Sequence, residues 1–234
     1  MSRAVIALVL LSMFGCRKSG SLQPEELRSI TDSASSHAWS ESSVKPTKHS
    51  TVYDSLYRYY KDAAGIEKSR VALEDSLATY LPLLQNPSDA LNDTVRHSAI
   101  LAFQDAMSSS DSLQASLVNT IAQCTRYADT ALKRLSESEN RKQLRAYMLS
   151  PDRFAPTWRA TYDSLEQLTN SLVIDILGLF DSARGNVVID STSGNRFRFR
   201  DIDLTSRYNA LRDSLAHLGA ELDAQRRNAP MARK

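Results

Sequence analysis

We expect an all-α protein, an elongated helical bundle with one small β-hairpin, and three observations predict it. The 234-residue chain has only 7 glycines and 7 prolines, so few positions interrupt a helix. Apolar residues recur at helical spacing along most of the chain and form coiled-coil-like seams. Strand-like alternation is confined to residues 186–200. The balance of 29 basic and 27 acidic residues argues against a nucleic-acid-binding protein.

The amino-terminal segment predicts export from the cytoplasm. Arg3 precedes the uncharged apolar run Ala4–Phe14, which matches the core of a secretory signal and is too short to span a bilayer. Met13-Phe14-Gly15-Cys16 resembles the lipobox of bacterial lipoproteins. The resemblance implies that residues 1–15 are a signal peptide that is removed. It also implies that Cys16 is lipidated and anchors the protein to a membrane through several acyl chains.

On this resemblance, the mature protein lies in the bacterial cell envelope and faces the periplasm or the exterior. Arg17 rather than an aspartate follows the cysteine, and similarity to enteric lipoprotein sorting favours the outer over the inner membrane. A plain secretory signal with an incidental cysteine is the alternative. Residues 16–48 are rich in serine and predict a tether, which includes a short helix over 24–40 that starts at Pro24.

The body of the protein is predicted over residues 49–227, and its first helix over about 49–81. The apolar seam of this helix starts at Val52 and advances in steps of four and three, which is a heptad repeat that favours packing against partner helices. Arg70 is the one polar member of the seam. Pro82 ends or kinks the helix because proline cannot donate to the helical ladder.

A second helical region is predicted over about 88–149. Its apolar positions repeat in steps of four, four and three, so eleven residues make three turns and the helix is nearly straight. Ser108–Asp111 is a weak point, because serine and aspartate favour helix caps, and two shorter helices broken there are the alternative. Cys124 lies on the apolar seam, which predicts a small buried side chain rather than a reactive thiol.

Two further helices are predicted over about 157–184 and 203–227, and residues 228–234 form a frayed tail. The first of these helices contains the most apolar stretch of the body and is expected to be deeply buried. Asp175 interrupts this stretch. We expect it to face water on the narrow polar side of the helix, although a buried carboxylate there would mark a functional site.

The residues between these two helices predict a hairpin over about 186–200. Phe197 and Phe199 are expected to pack against the helices or against a partner. The strand also carries three arginines on its opposite face, which are candidate interaction residues: Arg196, Arg198 and Arg200. They could bind phosphates or carboxylates of a partner or of anionic lipid. The alternative is a solvated face that nearby aspartates neutralise.

A stripe of tyrosines beside the first seam supplies the other candidate interaction residues. They are Tyr53, Tyr57 and Tyr60, four and three residues apart. Tyrosine is enriched at protein interfaces because it combines apolar area with a polar tip. The alternative is that a second helix covers the stripe inside the body.

The sequence contains no motif that predicts catalysis, a metal site or a cofactor site. Its four histidines are not spaced as metal ligands, and the paired cysteines of zinc or haem sites and the Gly-x-Ser-x-Gly turn of hydrolases are absent. We therefore expect no catalytic, metal-binding or cofactor-binding residues and no enzymatic activity.

Together these features predict a lipid-anchored extracytoplasmic structural or adaptor protein. It would be an accessory or scaffold subunit that binds another envelope or membrane-complex protein, or a second copy of itself, and no nucleic acid. The first alternative is a helical bundle that captures a small or lipidic ligand, for which Ala99, Ala102 and Ala106 could leave room. The second is an enzyme without a recognisable motif.

Overall fold

The computed structural model describes residues 23–40, 51–84, 86–133, 138–154, 159–183, 185–190 and 196–228. Within these ranges the chain forms seven α-helices and one antiparallel hairpin, so the predicted all-α bundle is confirmed. The helices are α1 (Pro24–Trp39), α2 (Thr51–Ala78), α3 (Pro87–Leu91), α4 (Asp93–Leu132), α5 (Ser138–Met148), α6 (Arg159–Ser182) and α7 (Ile202–Asn228). The strands are β1 (Val187–Asp190) and β2 (Arg196–Phe199), and short 3₁₀ turns cover Leu81–Leu84 and Pro151–Arg153.

The helices α2 and α4 pack side by side and run antiparallel. Leu56, near the start of α2, shares an apolar core with Cys124, near the end of α4. Leu77, near the end of α2, shares another with Phe103 in the first half of α4. The 40 residues of α4 make a helix about 60 Å long at 1.5 Å per residue, so this pair is the long axis of the body.

The helical region predicted over 88–149 is divided rather than continuous. The short helix α3 ends at Leu91, and the side chain of Asn92 accepts a hydrogen bond from the backbone N–H of Val95 at 3.2 Å. Asparagine starts a new helix here because its short side chain satisfies an N–H group that has no partner in the first turn. The helix α5 begins separately at Ser138.

The helix α4 continues through Ser108–Asp111, the predicted weak point. These residues are exposed or half-buried, so water solvates them while packing holds the other face and outweighs their low helix propensity. Most of the seam predicted for α4 is buried, including Ala99 and Cys124. At two places the burial shifts by one residue, because Arg96 and Phe103 are buried whereas the seam residues Val95 and Ala102 are half-buried. Contacts with both α2 and α6 make this face wider than a single seam.

The helix α1 occupies part of the segment predicted as a tether, residues 16–48. Its observed bounds, Pro24–Trp39, agree with the short helix predicted over 24–40. It packs on α2 and α5, and Trp39 Nε1 donates a hydrogen bond to the backbone carbonyl of Arg153 at 3.0 Å. Its buried residues are Leu27, Thr31 and Ala34. This part of the predicted tether therefore belongs to the folded body, because its regularly spaced apolar residues bury against two neighbours.

The core has two apolar halves that share α2 and α4. In the first half, the start of α2 and the end of α4 pack with α1 and α5 around Tyr60 and Cys124. In the second half, the end of α2 and the start of α4 join α6, α7 and the hairpin around Phe103 and Phe180. The junction between the halves therefore lies near the middle of α2 and α4.

The hairpin packs one face on the second half of the core. Ile189 pairs with Phe197 and Val187 pairs with Phe199 across the two strands. The rings of Phe197 and Phe199 are buried, with centroids 4.6 and 5.7 Å from that of Phe180. The expectation that these phenylalanines lie against the helices is confirmed.

The helices predicted over 49–81, 157–184 and 203–227 correspond to α2, α6 and α7, with ends within a few residues of the predicted ones. Asp175 is exposed, as expected for the polar side of α6. After α6, Gly185 has a φ of 78°, a left-handed conformation that turns the chain towards β1. None of the described helices combines the length and apolar character needed to cross a bilayer.

Candidate functional site

The most extensive group of charged side chains in the described body lies between α2 and α6, at the junction of the two apolar halves. Residues of α2 up to Ile66 pack in the first half, and those from Leu73 onwards pack in the second. We call this group the charged layer. It consists of Glu67, Arg70 and Glu74 of α2, Arg159, Tyr162, Asp163 and Glu166 of α6, and Arg226 of α7.

Helical spacing explains why these side chains meet. The three members on α2 are three and four residues apart and share one face of that helix. The four members on α6 occupy its first two turns, at spacings of three, one and three residues, and also share one face. Because α6 begins at Arg159, the long side chains of these two turns reach those in the middle of α2 and form charge pairs with them.

Arg159 is the central cation of the charged layer and is only 3% exposed. Its Nε lies 2.7 Å from Asp163 Oδ1, and its Nη2 lies 2.8 Å from Glu74 Oε1. Glu67 and Glu166 are more distant, at 3.5 Å from Nη1 and 3.9 Å from Nη2. One guanidinium is thus shared by four carboxylates at unequal distances.

Arg70, also 3% exposed, joins three helices. Its Nη1 donates to Asp163 Oδ2 of α6 at 3.0 Å, and its Nη2 donates to Gln114 Oε1 of α4. Arg70 is the polar seam position seen in the sequence. The side chain is tolerated in the core because two helices supply partners for its guanidinium group.

Tyr162 and Arg226 connect the end of α7 to the charged layer. The hydroxyl of Tyr162 donates to Glu74 Oε2 at 2.9 Å and accepts a hydrogen bond from Arg226 Nε at 2.7 Å. Arg226 Nη2 also lies 2.8 Å from Glu74 Oε2. Arg226 is more than half exposed, so its charge is screened by water more than those of the two buried arginines.

Burial dominates the protonation of the carboxylates in this layer. Burial and, to a smaller extent, the charge of Glu74 raise the pKa of Glu166 to about 7, against the opposing effect of Arg159. Burial also raises the pKa values of Glu67 and Asp163, although Arg159 acts to lower both. The layer therefore favours the neutral form of an acid at a pH where an exposed glutamate is ionised.

The charged layer can bind protons, and its ion pairs hold the helices together. Among the described residues, no group of histidine, cysteine, aspartate or glutamate side chains is arranged to hold a metal ion. In the charged layer, the guanidinium of Arg159 lies among the four carboxylates. The layer contains no serine, cysteine or histidine that could act as a nucleophile or as an imidazole base.

Sequence reasoning identified Arg70 and missed the other members of the charged layer. The available signal was a set of charges three or four residues apart beside a polar seam position, as in Glu67, Arg70 and Glu74. The same spacing on the surface of a helix usually forms exposed ion pairs. The burial that distinguishes the two cases depends on which helix packs there.

A third buried arginine, Arg96, lies outside the charged layer, ties α4 to its neighbours and was also missed. It is 1% exposed, and its Nε donates to Asp181 Oδ1 of α6 at 2.9 Å. Its Nη1 donates to the carbonyl of Ala90 in α3 at 2.9 Å, and Asp93 supplies a further carboxylate. These contacts fix the position of α3 and the start of α4 against α6, which is a structural role.

The tyrosine stripe packs mainly within the body. Tyr60 is fully buried and donates a hydrogen bond to the carbonyl of Met148 at 2.9 Å. Tyr53 is buried, with its hydroxyl 2.7 Å from Nδ1 of His37, and Tyr57 stacks on it with ring centroids 5.9 Å apart. For Tyr53 and Tyr60 this is the covered arrangement that the sequence left open. Partner binding by the stripe stays a prediction, and Tyr57 is its half-exposed member.

The arginine face of the hairpin points away from the core. Arg198 and Arg200 are exposed, and no carboxylate of the described residues forms an ion pair with either. The backbone of Arg196 pairs with that of Asp190, and its side chain lies outside the described part of the chain. Asp201, one of the aspartates expected to neutralise this face, accepts a hydrogen bond from the backbone N–H of Asp203 at 2.8 Å.

Of the two cysteines, the structure describes only Cys124. Cys16, the predicted lipidation site, lies outside the residues that the structure describes. Cys124 is buried on the seam of α4, as predicted, and burial raises the pKa of its thiol to about 12. Its thiolate is therefore scarce at neutral pH, and we assign it a packing role.

Comparison of the chain with protein-family models, with curated proteins and with solved structures finds no match.

Proposed function

We propose that the protein is a lipid-anchored extracytoplasmic adaptor or scaffold that binds another envelope or membrane-complex protein. The observation that carries the proposal is the apolar run that ends in Gly15-Cys16, which resembles the signal of bacterial lipoproteins. A covalent lipid supplies membrane attachment without a membrane-spanning helix. Lipidation, location and partner binding are all parts of this proposal.

The position of α1 limits how far the folded body can lie from Cys16. The contact between His37 and Tyr53 places the end of α1 beside the start of α2. Because α1 packs along α2, it runs back and begins near the middle of that helix. Residues 17–23 then form the only link between Cys16 and α1, and at about 3.5 Å per residue they span at most about 25 Å. A lipid at Cys16 would hold the body close to the membrane surface rather than on a long tether.

Exposed apolar and charged side chains supply candidate contacts for a partner. Ile202, at the start of α7, is 78% exposed and follows the exposed Arg200 of the hairpin closely in sequence. Tyr57 offers part of an aromatic ring on the other half of the body. Such side chains are typical of protein interfaces, which combine apolar and aromatic residues with arginine.

The alternative of a ligand-binding bundle rested on three small residues of α4. Ala99 and Ala106 are buried in a cluster with Phe103 and Leu77. Ala102 is half-buried against the same cluster. These contacts favour the interpretation that the alanines let neighbouring helices approach closely, and we therefore retain the adaptor proposal.

Membrane fractionation of a Cys16→Ser variant of the full chain tests the anchor. We expect the parent in the membrane fraction and the variant in the soluble fraction, because the variant has no thiol to acylate at residue 16. Cys124→Ala is the matched control, since it removes the other cysteine and should leave fractionation unchanged. A Cys16→Ser protein that stays with the membrane as fully as the parent contradicts lipid anchoring.

Affinity purification from membranes solubilised in mild detergent tests the adaptor role. We expect one stoichiometric partner, or a defined oligomer of this chain, with the parent protein. Recovery of the monomer alone would refute the adaptor role. Native mass spectrometry of the same sample would reveal a retained small or lipidic molecule, which would support the ligand-binding alternative instead.

A further inference from the structure

We propose that the charged layer binds a proton at Glu166, and that loss of this proton loosens the contact between α2 and α6. The proposal does not depend on lipid anchoring or on a partner. It rests on an excess of carboxylates in a buried contact. The layer has four carboxylates, two buried arginines and a third arginine, Arg226, that is more than half exposed.

Glu166 is the least compensated of the four acids. Its only ion pair within the described residues is with Arg159, at 3.9 Å, whereas Asp163 and Glu74 lie 2.7 and 2.8 Å from the same guanidinium. The other buried arginine, Arg70, is engaged by Asp163 and by an amide of α4. Since Glu166 is only 13% exposed, water solvates its charge poorly.

The groups facing Glu166 favour the neutral acid. On α2, Glu74 disfavours the ionised form of Glu166 and Arg70 favours it. On α6 itself, Asp163 disfavours the ionised form of Glu166 and Arg159 favours it. The helix α4 contributes an uncharged amide to the layer, and the cation of α7 is bonded to Glu74 and to a tyrosine hydroxyl. Both arginines that support the charge are shared with nearer carboxylates.

The direction of the pH effect follows from the raised pKa of Glu166. In the unfolded chain a glutamate ionises near pH 4.5, whereas in the folded protein the pKa of Glu166 is about 7. The unfolded state therefore releases this proton more readily. Glu166 therefore contributes most to the stability of the fold below pH 4.5, and this contribution is lost as the pH rises to about 7.

The position of the layer makes this effect local. Apolar clusters hold the two halves of the body on either side of the layer. A charged Glu166 repels Glu74 across the contact, so the first turns of α6 should separate from α2 before either half unfolds. The layer would thus make the junction of the two halves sensitive to pH.

Carbon-detected NMR titration of glutamate carboxyl groups in the full chain tests proton binding directly. We expect the Cδ of Glu166 to titrate with a midpoint near pH 7, well above the ordinary range of a glutamate. The Glu166→Gln variant assigns the signal. A Glu166 midpoint below pH 5 overturns the proposal.

Urea unfolding at pH 6 and pH 8 tests the link to stability. From the two pKa values, we expect the unfolding equilibrium constant of the parent to rise about tenfold over this interval through Glu166. Glu166→Gln mimics the neutral acid and should remove this increment, whereas Glu26→Gln should retain it. Both variants keep all four histidines, so any contribution of histidine to the pH dependence is the same in each. Equal pH dependence in the two variants contradicts the proposal.

Hydrogen exchange separates a loosened junction from a general loss of stability. After correction for intrinsic rates, amides in the first turns of α6 should exchange faster at pH 8 than at pH 6 in the parent and not in Glu166→Gln. Amides of α4 around Cys124 serve as the internal reference in the first half. Uniform acceleration throughout the body, or none, refutes the loosening.

Discussion

Tyr60 and Tyr57 are close in sequence, but only the hydroxyl of Tyr60 makes a buried hydrogen bond. Tyr60 is fully buried and bonds the carbonyl of Met148, so Tyr60→Phe leaves that carbonyl without its partner. We expect the free energy of unfolding to fall by about 1–3 kcal/mol, the usual cost of a buried unsatisfied group. Urea unfolding followed by circular dichroism measures the change.

Tyr57→Phe is the matched control for this prediction. The side chain of Tyr57 is half-exposed, and its ring stacks on Tyr53 through a contact that phenylalanine preserves. We expect a change below about 0.5 kcal/mol, as for surface substitutions. Equal losses in the two variants would contradict the assignment of Tyr60 to the core.

Among the helices, the separation of α3 from α4 depends on one side chain. Asn92 accepts a hydrogen bond from the N–H of Val95 and starts α4. Asn92→Ala should lower the free energy of unfolding by about 1 kcal/mol, because the first turn of α4 loses its cap. Urea unfolding checks this value. Asn92→Ser supplies another good cap and should restore most of the loss, and a serine variant as unstable as the alanine one would argue against capping.

For the body as a whole, the sharing of α2 and α4 predicts cooperative unfolding. Cys124 reports on the first half, and in a Cys16→Ser protein it is the only thiol. Its raised pKa, about 12, and its burial should make it unreactive in the native protein. In rising urea, thiol labelling should follow the same midpoint as the loss of helix, since α2 and α4 cannot remain intact in one half alone.

Labelling with a thiol reagent and circular dichroism on the same samples provide the two curves. Labelling at low urea, well before the loss of helical signal, would show that the first half opens independently. Rapid labelling in the absence of urea would contradict both the burial of Cys124 and its packing role. The Cys16→Ser background ensures that no second thiol contributes to the signal.

Local patterns were sufficient to place α1, α2, α6, α7 and the hairpin, whereas the division of residues 88–149 into three helices was not predicted. Pro24 and the acidic residues after it marked the start of α1, and the alternation of Phe197 and Phe199 with arginines marked β2. These signals depend on the periods of the helix and the strand, which a linear chain displays directly. The seam of α4 likewise placed Cys124 in the core. The signal at Cys16 is equally local, and the anchor that it predicts is still to be tested.

The tertiary structure was needed wherever the answer depended on a neighbouring element. In the sequence, Arg70 is a single polar residue in an apolar seam. In the structure, α6 places Asp163 beside it as an ion-pair partner. Whether α1 joined the tether or the body, and whether Tyr60 was a contact for a partner or a core residue, likewise depended on which helix covered it. Periodicity specifies which face of a helix is apolar, because that is a property of its own residues. The partner of that face is set by the packing of the whole chain, and burial then decides whether a charge is a solvated surface group or a proton-binding site.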